Sequence, residues 1–280
     1  MAAIINTNLA SLNAQRNLTT SQSSLNTSLQ RLSSGLRVNS AKDDAAGLSI
    51  ATRMDAQIRG QTVAIRNAND AISLAQTAEG ALGKITDALQ RMRELAVQSA
   101  NATNETGDRD NLQAEFEQLQ EEITRLTDGT KFNNKALFDG TAGSLTFQVG
   151  AGTTSQDTIT VTGINLSTGD VATAAASGIS IDGADNTNAT AAIDAIDDAL
   201  DTVNTERATL GAVQNRFESV VSSLQVSVEN QSAAKSRILD ADFAAETANL
   251  TRAQILQQAG TAMLAQANSV PNSVLTLLQG

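Results

Sequence analysis

The 280-residue chain contains no cysteine and no histidine. The first absence removes a disulfide framework, a thiolate metal site and a cysteine nucleophile. The second removes the commonest general base and metal ligand, and with them every triad built on imidazole. Tryptophan and tyrosine are missing as well, and aromatics make up 2% of the chain. A core must then come from Leu, Ile, Val and Ala, which suits long close-packed helices better than a deep ligand pocket. No continuous apolar run is long enough for a membrane span or a conventional secretory signal. Basic residues are scarce beside acidic ones, 19 against 30, for a net charge of −11. Nucleic acid is disfavoured as a partner, because phosphate binding needs clustered cations. Residues 1–42 do carry Arg16, Arg31, Arg37 and Lys42 with no acid. These are spaced out and lack the bulky aromatic anchors of an interfacial helix, so membrane insertion is not expected. The composition points away from an enzyme and requires no cofactor or metal.

What the chain does have is helical periodicity, including at both ends. Leu18, Leu25 and Leu32 recur every seven residues, with Leu29 and Leu36 four beyond the last two. Near the other end Leu256, Gly260, Met263, Ala267, Val270, Val274 and Leu277 alternate by four and three. Such a repeat holds one stripe of a helix against a partner helix. The stripes are too thin to fold alone, and a lone helical pair makes a poor core. Self-association is the expected outcome. Pro271, the only proline, falls inside the second stripe and is expected to kink it.

Between the ends, a helix is predicted from about Asp43 or Asp44 to the Asn101-Ala-Thr-Asn104 break, with Ile58, Ile65, Ile72, Leu82, Ile85, Leu89 and Met92 on one face. A shorter helix follows with Leu112, Phe116, Leu119, Ile123 and Leu126 as its seam, stopping at Asp128-Gly129. Period two then appears: Leu145, Phe147 and Val149, and later Ile159 and Val161, alternate with polar residues, predicting a β-hairpin. Residues 166–189 read as a short, low-complexity surface segment. From Ile193 to Ile238 the 3–4 spacing is unbroken, predicting a helix on the order of 70 Å long. Its seam loses apolar character at Gln231 and Lys235, before Asp240-Ala-Asp242 offers a cap for a last helix. The expected fold is mainly α: a long-helix rod, comprising a three-helix bundle plus a terminal coiled-coil helix pair, with a small β-hairpin region at the far end. The expected division is 1–42 with 237–280 as terminal domain, and 43–165 with 190–236 as rod.

Candidate sites are few. Asp194, Asp197, Asp198 and Asp201 suggest a cation site but read better as solvated residues offsetting a helix dipole. Gly150-Ala-Gly152 lacks the Lys-Ser/Thr of a phosphate loop and reads as a hairpin turn. Asn165-Leu-Ser167 and Asn188-Ala-Thr190 are triplets that this composition yields by chance.

Three strings are more specific. Gln30-Arg-Leu-Ser-Ser-Gly-Leu-Arg-Val-Asn-Ser-Ala-Lys-Asp-Asp-Ala-Ala-Gly-Leu-Ser-Ile-Ala51, Gln90-Arg-Met-Arg-Glu-Leu-Ala-Val-Gln98 and Gln266-Ala-Asn-Ser-Val-Pro-Asn-Ser-Val-Leu-Thr-Leu-Leu278 resemble hallmarks of bacterial flagellins. The resemblance covers about 1–165 and 190–280, with a centre too short for an extended outer domain. It implies a flagellar filament subunit used in motility, with Leu18, Leu25, Leu29, Leu32, Leu256, Met263, Val270, Val274 and Leu277 as polymerisation seam. It also implies export by the flagellar type III route without a cleaved signal, in company with an export chaperone, cap and hook-junction proteins. Plant flagellin receptors would read the first string at Asp43, Asp44 and Gly47, and a Toll-like receptor would contact Arg91, Leu95 and Glu115. Structural readings stand beside these: Gly35 and Asp43-Asp44 as a joint between helices, Arg91 and Glu115 as a surface ion pair. Rival readings are a hook–filament junction protein and a secreted needle-extension or translocator coiled coil. A metalloprotease-bearing flagellin would need two histidines, and the chain has none.

Overall fold

A computed structural model describes residues 7–141 and 143–278, with side chains through 269. Helix α1 (Leu9–Ser34) starts at Asn8, whose side chain accepts the Ser11 N–H at 3.0 Å, and ends at Gly35 with φ +71°, whose N–H reaches the Arg31 carbonyl. Only glycine takes that left-handed position without strain. Helix α2 (Ala45–Ser99) opens behind Asp44, whose carboxylate accepts the Gly47 N–H at 2.8 Å. Its 55 residues make it about 80 Å long. Helix α3 (Thr106–Gly129) begins with a reciprocal box between Glu105 and Asp108.

Two antiparallel hairpins follow. In the first, β1 (Lys131–Phe132) pairs with β2 (Lys135–Ala136) around Asn133 and Asn134, both at positive φ. This turn chemistry suits a two-residue hairpin, and the alternation of apolar residues gave no hint of strands so short. In the second, β3 (Leu145–Gln148) pairs with β4 (Thr158–Val161), Leu145 opposite Val161 and Phe147 opposite Ile159. The connecting loop is tied by Asp157, which accepts the Thr154 hydroxyl and the N–H groups of Thr154 and Gly152. After short α4 (Asp170–Ala174), α5 (Thr187–Leu239) runs for 53 residues and α6 (Phe243–Leu278) closes the described chain behind Asp242, whose carboxylate accepts the Ala244 N–H. The α6 backbone is helical through Pro271. The mainly-α class with a small hairpin region is the fold found.

The chain sorts into two compact units, one from Gln57 to Glu229 and the other from the flanking stretches up to Ala56 and from Asn230. In the middle unit α2, α3 and α5 share a continuous core: Leu82, Ile85, Leu89, Met92 and Leu95 with Phe116 and Ile123 and with Ile196, Val203 and Leu210. A second cluster joins Ala68, Ala71, Val149, Ile159, Val161 and Phe217. Phe147 meets Phe217 edge-to-face there, with ring centroids 5.6 Å apart.

Segment 166–189 differs from its low-complexity reading. Leu166, Val171, Ala174 and Ile181 are buried in the main core, so apolar side chains at irregular spacing anchor it. Helix α5 also begins at Thr187, two turns before the acidic quartet. The dipole explanation for Asp194 to Asp201 fails for that reason, because the effect fades within the first turn.

Candidate functional site

The terminal unit is organised by the α1–α6 pair. Asn8 Nδ2 donates to the Ala267 carbonyl at 2.8 Å, Ser11 Oγ donates to Asn268 Oδ1 at 2.7 Å, and Arg31 lies 3.9 Å from Glu246. The helices are thus antiparallel. On α1 the covered positions Ser11, Ala14, Leu18, Ser21, Leu25, Ser28 and Leu32 step by three and four. On α6 the matching set is Glu246, Leu250, Ala253, Gln257, Gly260, Leu264 and Ala267. Gly260 permits the close approach: a Cβ there would stand 3.2 Å from Leu18 Cδ1.

This corrects the sequence-derived seam. Leu18, Leu25 and Leu32 are half-buried by an intrachain partner. On α6 the intrachain stripe shares Gly260 and Ala267 with the expected one but leaves Leu256 and Met263 outside, 50% and 64% exposed. The physical reason is that small side chains let two helices approach: Ser, Ala and Gly alternate with the covered leucines along the contact, and Leu256 and Met263 fall beside it. Leu29 is likewise exposed, with Leu9 and Leu12 on α1 and Ile255 and Phe243 on α6. The side chains of Val270, Val274 and Leu277 lie outside the described residues. Scattered exposed leucines need no explanation. This unit instead leaves large apolar side chains open on more than one face of α1 and α6 and buries only Val38, Ala51 and Ala253 among its described apolar residues. At about 1.5–3 kcal/mol for a large apolar side chain fully buried, covering two or three of them is worth on the order of 5 kcal/mol.

The α1–α2 joint is built as the structural reading expected. Asp43 Oδ2 accepts the N–H groups of Asn39 and Ser40 and the Ser40 hydroxyl. The Asn39 and then the Ser40 N–H hold its carboxyl below the usual carboxylate range. Residues 35–38 are stitched to the α5–α6 connection: Ala241 N–H to the Gly35 carbonyl, Arg37 N–H to the Leu239 carbonyl and the Arg37 guanidinium to the Ile238 carbonyl. Asp43 and Asp44 are exposed while Gly47 is buried. A Cβ on Gly47 would stand 2.4 Å from Asp44 Oδ2.

In the middle unit Arg91 meets Glu115 at 2.8 Å and Glu94 at 2.9 Å, all three side chains about half exposed or more. Glu94 first and Glu115 second raise the pKa of Arg91. Leu95 does not share that surface. It is 1% exposed and packs into the main core. Positions four apart sit at an angle around a helix, and here the core boundary passes between them. Of the acidic quartet, Asp197 forms a bidentate pair with Arg93 at 2.6 and 3.1 Å, while Asp194, Asp198 and Asp201 are exposed. No group of three or more metal-ligating residues occurs among the described residues.

One constellation was missed. The buried residues of α3 are mostly polar: Arg109, Gln113, Gln120 and Thr127 are interleaved with Phe116 and Ile123. Gln120 Nε2 lies 2.9–3.1 Å from the carbonyls of Ala174, Ala176 and Ile179, which share its two N–H groups, Gln113 Oε1 accepts the Ile181 N–H at 2.7 Å, and Arg109 donates to the Ser99 and Gly183 carbonyls. This row holds segment 174–183, satisfying backbone groups that burial would otherwise orphan. Its sequence signal is a Gln three or four from each large buried apolar residue, Gln113 and Gln120 about Phe116 and Gln120 before Ile123, which a search for apolar periodicity discards.

Comparison with known proteins gives matches at both ends. Residues 5–143 match the bacterial flagellin N-terminal helical region and residues 193–278 the bacterial flagellin C-terminal helical region. The chain is 49% identical to a flagellin of Halalkalibacterium halodurans over 276 residues, spanning 99% of this chain and all of that relative. It is 36% identical to flagellin A of Vibrio cholerae, with both chains covered in full. Among solved structures, a putative flagellar hook-associated protein from Vibrio parahaemolyticus superposes with a TM-score of 0.55 over 71% of this chain and 98% of its own. At 15% identity that likeness concerns the fold alone.

Proposed function

The chain belongs to the bacterial flagellin family, structural subunits of the extracellular flagellar filament and not enzymes, and from that premise we propose which of its surfaces builds the polymer. The observation that carries the reading is the set of large apolar side chains that the terminal helices leave open: Leu9, Leu12 and Leu29 on α1 with Ile255, Leu256 and Met263 on α6. Apolar faces that one copy leaves wet are covered by unlike surfaces of its neighbours. Such heterologous, non-closing contacts extend into an open helical polymer.

The same reading extends to cellular use. The filament serves motility. The subunit is exported unfolded by the flagellar type III route and meets an export chaperone, cap and hook-junction proteins on the way. Ordering the terminal helices at the moment of assembly supports this, because it keeps the apolar faces from aggregating earlier. For host recognition, the exposed Arg91–Glu115 pair is a surface a Toll-like receptor can contact in the free subunit, and exposed Asp43 and Asp44 are available to a plant receptor. Leu95 and Gly47 act in these sites by shaping them from beneath.

The test is pelleting of full-length protein. Leu256→Lys or Leu12→Lys should abolish filament formation with the helical circular-dichroism signal retained. Normal filaments from both variants would overturn the proposed surface. In a receptor-signalling assay Arg91→Ala and Glu115→Ala should each lose activity as free subunits, and wild-type activity in both would refute the receptor reading.

A further inference from the structure

Among the described residues three methionines differ in access. Met92 is fully buried, Met54 is partly buried, and Met263 is 64% exposed. Met263 also lies along a groove of about 620 Å³ between α1 and α6, with Ala10 and Ala14 among polar Asn13, Asn17, Thr20 and Ser21 on the far wall and Leu256, Ala259 and Gly260 on its own. Small residues open this groove, and Met263 and Leu256 are its long apolar side chains. The α6 wall offers no side-chain hydrogen-bond donor.

We propose that Met263 is an oxidation site that controls assembly: among the described methionines its thioether is the one a two-electron oxidant reaches first, and the sulfoxide prevents a second copy from covering this face. The proposal rests on the self-association reading above. With hydrogen peroxide as oxidant, the Sδ lone pair attacks one peroxide oxygen, the S–O bond forms as the O–O bond breaks, and water leaves. Sulfur is oxidised by two electrons and peroxide is reduced. The product replaces a flexible apolar thioether with a strongly polar sulfoxide. In the free subunit water satisfies that oxygen. Under a neighbour the oxygen loses water beside Leu256 and Ala259, and an unpaired buried acceptor opposes binding. Reduction of the sulfoxide reverses the block.

The experiment treats the full-length free subunit with hydrogen peroxide, maps sulfoxide at each methionine by peptide mass spectrometry, and measures elongation from preformed seeds. Met263 should oxidise at least tenfold faster than Met92. The oxidised subunit should need at least a tenfold higher concentration to elongate, and methionine sulfoxide reductase should restore growth. Met263→Leu should elongate normally and keep doing so after peroxide. Should that variant itself fail to assemble, reductase rescue of the oxidised wild type decides the matter. Unimpaired growth with Met263 fully oxidised, or equal sensitivity in Met263→Leu, overturns the proposal. Untreated wild type that forms no filaments at all overturns the self-association reading instead.

Discussion

The two units of this chain solve the burial problem differently. The middle unit gathers Leu, Ile, Phe and Val from three long helices and a hairpin into continuous clusters. The terminal unit closes its seam with leucines set among Ser, Ala and Gly. Among the described residues it leaves eight large apolar side chains open, from Leu9 to Met263, against three, Val63, Val97 and Val226, in the larger middle unit. Charge divides the same way. The terminal unit holds eight basic and six acidic residues, a net of +2, while the middle unit holds eleven and twenty-four, a net of −13. One unit is therefore complete and solvated by its charge. The other is near-neutral and apolar, the composition of a surface meant to be covered.

The comparison breaks first under protease. Local stability follows buried apolar contact, so trypsin should cut the free subunit at Arg16, Arg31 and Arg252 well before any site within 193–228. Early cleavage at Arg207 or Arg216 would remove the contrast. Side-chain truncation sharpens it. Phe116→Ala should cost about 3–5 kcal/mol and Leu95→Ala about 2–5 kcal/mol in urea unfolding, because both side chains are buried in the main core. Leu256→Ala, at an exposed site, should stay within about 0.5 kcal/mol yet weaken pelleting. A Leu95→Ala variant as stable as wild type would contradict its placement in the core. Next in size is Gln120→Ala, which leaves three carbonyls of segment 174–183 without their donor and should cost about 1–3 kcal/mol, with faster amide exchange confined to that segment. The smallest effect concerns Asp43. Because its folded pKa is lowered, its contribution is full above the ordinary Asp value of about 3.9 and is lost as pH falls through the lower folded value. Asp43→Asn should speed exchange of the Asn39 and Ser40 amides at neutral pH and leave little difference from wild type in strong acid.

Much of this was legible in the residues. Long 3–4 repeats gave α2, α3 and α5 within a few residues because tertiary burial and helix period agree there. The β3–β4 hairpin followed from Leu145, Phe147, Ile159 and Val161 for the same reason. Reading failed where burial is not apolar or not periodic. Gln113 and Gln120 are buried because they serve backbone groups of another segment. Val171 and Ile181 are buried without a repeat. On α6 two stripes lie side by side, and an apolar scan selects Leu256 and Met263 over the small residues that make the intrachain contact. Asn133-Asn134 signals a turn, but two-residue strands carry no alternation to flank it.

The absence of cysteine provides the most direct test of the central claim, that the face of the α1–α6 pair carrying Leu256 and Met263 is wet in one copy and dry in the polymer. A single Leu256→Cys substitution supplies a unique thiol, and its rate of alkylation can be compared in free subunits and in pelleted filaments. The account predicts rapid labelling of the free subunit and at least tenfold protection in the filament. Equal labelling in both states would contradict it.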